Sequence, residues 1–288
     1  NLLRIFKISL EALKNISVGY MGTMEVSKEI LLGENALKLS LKCLSYDFIG
    51  TNPDESSEDV GTIQIPTSWR EMVLDPSTLK LFFDFYKSTE PPRSSLAMQN
   101  IILLSSIRRS IFPRDSDRAT YLQSLMDFLR DILSTQQGLQ HQENYHEFCR
   151  QLGRLKANYQ LNELVRVEGY LDWVESVTNF TLKSFQQWQW SLNSIHYLLA
   201  LWGRLISAVP YVRSDIGAKN HTQRLQECVQ LVMQCYVQSM IDCVETVLMS
   251  EGTIDDPLDD EGSLKEQMDR LPTIGRFDYA SLATFILN

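Results

Sequence analysis

Few residues in this chain could do chemistry by type, and their spacing decides what each of them can do. His146 and Cys149 stand three apart inside a helical pattern, so they could share a face as a nucleophile pair or as half of a metal site. No second His or Cys completes either arrangement at ligand spacing. The pair therefore reads as a packing cysteine beside a polar histidine. His196 and His221 are equally isolated, and Cys228, Cys235 and Cys243, separated by seven and eight positions, fall near one helical face, where core residues sit. The acidic run from Asp255 to Glu261 invites a calcium reading, but an EF-hand needs oxygen side chains at alternating positions and glycine at the sixth. Counted from Asp255, Pro257 and Asp260 stand in those places. Calcium is thereby excluded. The sequence contains no phosphate loop, glycine-rich dinucleotide motif or paired-carboxylate arrangement. We expect no catalytic residue, no metal and no cofactor, and hence no enzyme.

Two further groups are weaker signals. Asn15, Asn179 and Asn220 head N-x-[ST] triplets, which matter only in a secreted context. Arg108, Arg109, Arg114 and Arg118 form a small basic group, read as a solvated helix end rather than a binding patch.

The elements that must position these residues are helices. Ser194 to Val212 is apolar nearly all the way round one helical pitch, with Ile195, Leu198, Leu199, Trp202, Leu205, Ile206 and Val209 at helix spacing. Such a helix has to be covered on two or three sides. Pro210 ends it, because proline has no N–H and disfavours helical backbone before it. At about 28 Å the stretch is too short and too interrupted to span a bilayer, and no membrane insertion is expected.

Composition agrees with a stack of helices. The 288 residues are 44% hydrophobic, with 13 Gly and 9 Pro, enough apolar surface for a packed core and few breakers. A formal charge of −9 argues against nucleic acid as a partner. The five cysteines form no CxxC pair and lie in apolar helical patterns, the usage of reduced, buried thiols in the cytosol or nucleus. The chain begins at Asn1 and stops at Asn288 inside helical patterns, so we expect a fragment of a longer protein.

In chain order the stripes come in pairs. Leu3, Phe6, Leu10 and Leu13 make the first, and Leu37, Leu41, Leu44 and Phe48 its partner. A long loop from Gly50 to Trp69 follows, acidic in the middle and extended at Ile63 to Ile65. Asp75-Pro76 starts a helix carrying Leu79, Phe82, Phe83 and Tyr86, and its partner carries Leu96, Ile101, Leu104, Ile107 and Ile111. Asp115 starts another, with Leu122, Leu125, Leu129 and Ile132, partnered by Tyr145, Phe148, Leu152, Leu155 and Tyr159. A fourth pair combines Leu171, Val174, Val177, Phe185 and Trp188 with the 194–212 stretch, and a long stripe from Leu225 to Val247 begins the last. The spacing predicts an all-α, HEAT-like helical-repeat solenoid, a single array over 1–288 with pairs at about 1–49, 66–112, 115–160, 168–212 and 217–288.

The loop YDFIGTNPDESSEDVGTIQIPTSWR (Tyr46 to Arg70), the segment NYHEFCRQLGRLKANYQLNELV (Asn144 to Val165) and the block SAVPYV resemble the exportin-7 and Ran-binding family of karyopherin-β nuclear transport receptors. The resemblance spreads over the whole chain and implies a run from the N-terminal half of such a receptor. It implies a HEAT solenoid that binds the small GTPase Ran in its GTP form, carries protein cargo, meets nucleoporins and shuttles between nucleus and cytoplasm. It also implies a role for the acidic loop Glu251 to Gly262. In related exportins such a loop contacts Ran or couples its binding to cargo, which makes Asp255, Asp256, Asp259, Asp260 and Glu261 the candidate partner-binding residues. A helical-repeat interaction scaffold without a transport role remains the alternative.

Overall fold

The computed structural model describes residues 1–17, 25–48, 62–212 and 218–251. Two compact units divide the chain, Asn1–Glu168 and Gly169–Asn288.

The first unit consists of α1 (Leu2–Ser17), α2 (Val26–Leu44), the short α3 (Arg70–Val73), α4 (Pro76–Ser88), α5 (Arg93–Ser105), α6 (Asp115–Thr135), α7 (Gln142–Asn158) and the short α8 (Leu161–Leu164). α1 packs on α2 and α4 on α5, while α2, α5 and α7 lie side by side in one layer and α1, α4 and α6 follow one another in the other. Neither layer could bury its apolar stripes alone. Phe6, Leu10 and Leu13 are buried on α1, Leu79, Phe82, Phe83 and Tyr86 on α4, and Leu122, Leu125, Leu129 and Ile132 on α6, as helical spacing requires.

Local chemistry sets the ends of these helices. Asp75 is the N-cap of α4, its carboxylate accepting from the Ser77 N–H at 2.8 Å, with Pro76 in the first turn. The turn between α6 and α7 runs through Gly138 at φ +78°, where a Cβ would lie 3.1 Å from the Tyr86 hydroxyl. Only glycine suits that position.

Periodicity extended one helix too far. α5 ends at Ser105, and Ile107 and Ile111 lie beyond it. The Ile63 N–H donates to Ser106 O at 2.9 Å and the Arg108 N–H to Ile63 O at 3.0 Å, so Ile63 and Ile107 form a parallel bridge. The expected extended piece at Ile63 is thus present, and it draws Ile107 out of the helix. This bridge is the β pairing seen among the described residues. Downstream of Ile63, Trp69 is buried and stacks on Phe6 of α1 at 5.4 Å.

The second unit contains α9 (Tyr170–Gln186), α10 (Trp188–Ala208) and α11 (Ala218–Glu251), with α9 packed against both of the others. α10 begins upstream of the apolar stretch, at Trp188, and ends at Ala208, where Pro210 sits in a 3-10 turn over Val209–Tyr211. Ile195, Leu198, Leu199, Leu201, Trp202, Leu205 and Ile206 are all buried, so the helix is covered on several sides. On α11, Leu225, Val229, Val232 and Tyr236 form the buried stripe. The described chain is all-α. No helix among the described residues is long and apolar enough to cross a membrane.

Candidate functional site

The side chains that could have held a metal or a nucleophile are used for packing. Cys149 is fully buried, and burial pushes its thiol far above the ordinary cysteine range. His146 is half-buried one turn away on α7. Cys43 and Cys228 are also buried, with thiols raised by the same desolvation. Cys235 is half-buried with its sulfur 3.6 Å from Leu182 O. These are poor nucleophiles. Among the described residues no group of His, Cys, Asp and Glu could hold a metal ion.

The four arginines do not behave as one group. Arg108 reaches Gln64, Arg109 pairs with Asp115, and the exposed Arg114 pairs with the half-buried Asp117 at 2.8 Å. Each is a surface contact of small energetic weight. Arg118 departs from the expected solvated helix end. Its side chain is 4% exposed, with Nε donating to Glu163 Oε1 at 2.7 Å and Nη2 to Asn158 O at 2.8 Å. The guanidinium lies 4.2 Å from the centre of the Tyr159 ring and 5.4 Å from that of Phe112. A planar cation can stack on aromatic faces while its edges bond carbonyl and carboxylate. The result ties the start of α6 to the end of α7 and to α8.

A second polar structure was missed in the sequence. Glu147, Gln151, Arg154 and Asn158 recur at spacings of four, three and four along α7, the period of a buried face. They meet a row of small polar residues from α5 and its end. Gln99 Nε2 donates to Glu147 Oε1 at 2.8 Å, Gln151 Nε2 to Ser105 Oγ at 2.7 Å and Arg154 Nε to Ser106 Oγ at 2.6 Å. Asn158 Nδ2 donates to Ser105 O at 2.6 Å, and at the other end Ser94 Oγ donates to Asn144 Oδ1 at 2.9 Å. The signal was available as polar residues at core spacing beside the serines 94, 95, 105 and 106. Such a seam fixes the register of two neighbouring helices, because each rung has one bonding geometry.

What this arrangement offers is surface. The described residues present ordered helix faces and loops, with no nucleophile set against a base. Asp255, Asp256, Asp259, Asp260 and Glu261, the candidate partner-binding residues, lie outside the described residues. Asn15 and Asn179 sit within α1 and α9 and Asn220 within α11, where backbone hydrogen bonding leaves little freedom for glycosylation.

Comparison with known proteins adds the remaining observation. Residues 244–288 match the family model described as "Exportin-7-like, TPR domain". The chain is 44% identical over 278 residues to exportin-7-A of Xenopus laevis, covering 96% of this chain and 25% of that protein. It is 41% identical over 251 residues to Ran-binding protein 17 of Homo sapiens, covering 87% of this chain and 22% of the relative. Against exportin-7 of Dictyostelium discoideum identity is 36% over 286 residues, 99% of this chain and 27% of that protein. The chain spans about a quarter of the length of these relatives, none of which is named as an enzyme.

Proposed function

We propose that this chain, a homologue of about a quarter of exportin-7 and of Ran-binding protein 17, is a helical-repeat segment of a nuclear transport receptor. The observation that carries the reading is 44% identity over 278 residues, 96% of this chain. The receptor binds Ran in its GTP form and protein cargo, meets nucleoporins in passage, and moves between nucleus and cytoplasm. Its work is recognition by area and charge, without catalysis or cofactor. Residues 1–288 contribute as one array of helix pairs.

Within this reading the acidic run is the place of contact with a basic partner surface. Asp255, Asp256, Asp259, Asp260 and Glu261 put five carboxylates within seven residues, which raises the local negative potential. Screening over about 8 Å at physiological salt confines the effect to a partner close to docking. Steering of Ran is its expected role.

A pull-down of the full-length protein with Ran locked in the GTP or the GDP state tests the proposal. Retention of the GTP form alone is expected. Equal recovery of both forms, or of neither, would return the chain to a helical scaffold with no transport role.

A further inference from the structure

Three buried polar atoms around Arg118 have no hydrogen-bond partner among the described residues: Arg118 Nη1, the Tyr121 hydroxyl and the Tyr159 hydroxyl. Their side chains belong to one cluster. Tyr121 lies one turn beyond Arg118 on α6, and its ring meets Phe112 edge-on at 5.6 Å, the same ring that Arg118 approaches at 5.4 Å. Tyr159 is the ring on which the guanidinium stacks. We propose that the protein binds one interior water molecule here, bridging Arg118 Nη1 to the phenol oxygens of Tyr121 and Tyr159.

The geometry of the guanidinium gives the reason. Its hydrogens lie in its plane, so rings stacked on its faces cannot accept them. Two in-plane directions are taken by Glu163 Oε1 and Asn158 O, leaving Nη1 to find an acceptor at the edge. Buried donors of this strength are almost always satisfied. Burial also raises both phenols far above their ordinary range, outweighing the lowering effect of Arg118 on Tyr159, so both keep their protons and can donate. Three donors need a ligand that accepts more than once, and water does so while returning a proton to one phenol oxygen. An anion would accept equally well, but Glu163 already neutralises Arg118, and a second negative charge would be buried beside it without a counter-charge.

Crystals of the protein diffracting well enough to show ordered waters, grown in chloride and soaked in bromide, test this directly. The expected result is a density peak within hydrogen-bonding distance of all three atoms and without anomalous signal. A bromide signal at the peak, no peak, or direct bonding between the two hydroxyls would overturn the proposal. A second measurement uses Tyr159→Phe and Tyr121→Phe. If a water is bound, each removes a bonded hydroxyl and lowers Tm by about 2 to 4 °C, and the double variant loses less than the sum because the water is already displaced. If none is bound, each removes an unpaired buried hydroxyl, and an unchanged or raised Tm would overturn the assignment.

Discussion

The indole N–H of Trp202 donates to the Thr181 hydroxyl at 3.0 Å, and both side chains are buried. α10 is thereby fixed to α9 by a directional bond, as it also is where Ser191 Oγ donates to Ser184 O at 2.6 Å. Trp202→Ala should destabilise the protein by roughly 3 to 5 kcal/mol, the usual cost of removing a buried indole. Thr181→Val keeps the volume but leaves the indole N–H unpaired, at about 1 to 3 kcal/mol. Denaturant unfolding of both variants checks this. A Thr181→Val protein as stable as the parent would mean that the N–H finds another acceptor.

Arg118 and Arg114, four residues apart on the same sequence stretch, should respond oppositely to truncation. Arg118→Ala leaves Glu163 without its cation and removes the surface that stacks on Tyr159, for a loss of about 3 kcal/mol. Arg114→Ala breaks a surface pair whose arginine stands in solvent and should leave the thermal midpoint where it is. Equal midpoints for the two variants would refute the buried clamp.

The seam between α5 and α7 predicts a loss confined to its rungs. Asn144→Ala removes the acceptor of Ser94 and the donor to Gly138 O, and should cost about 1 to 3 kcal/mol. Gly138→Ala should also destabilise, by roughly 1 to 3 kcal/mol, since the left-handed backbone and the Tyr86 hydroxyl both oppose a Cβ. Calorimetry of the two variants would measure the losses, and neutral behaviour of both would show that the turn repacks freely.

Cys149 should resist a maleimide in the native protein at neutral pH, because its thiol is fully buried and held protonated by desolvation. Mass spectrometry after brief labelling should find it modified only once the protein is unfolded. Rapid native labelling at Cys149 would contradict the burial.

For the acidic run, replacing Asp255, Asp256, Asp259, Asp260 and Glu261 by Asn or Gln in the full-length protein should slow association with Ran-GTP at low salt. The difference should shrink as salt rises. Stopped-flow rates that coincide at low salt would leave these residues as a connector.

The sequence by itself determined the helices of this protein, because a period of 3.6 is a local property. The stripes Phe6, Leu10, Leu13 and Leu79, Phe82, Phe83, Tyr86 can be read off without knowing what they meet, and so can the stop at Pro210 and the cap at Asp75. Tertiary structure decided which polar side chains are buried. Arg114 and Arg118 look alike in sequence, yet one stands in solvent and the other is enclosed by Phe112, Tyr159, Asn158 and Glu163, residues as far as 45 positions away. It also decided where α5 stops, because the Ser106 carbonyl and the Arg108 N–H, on either side of Ile107, bond to Ile63 far earlier in the chain. Such contacts depend on partners that local periodicity does not specify, and their energy comes from desolvation and hydrogen-bond geometry at the point of meeting.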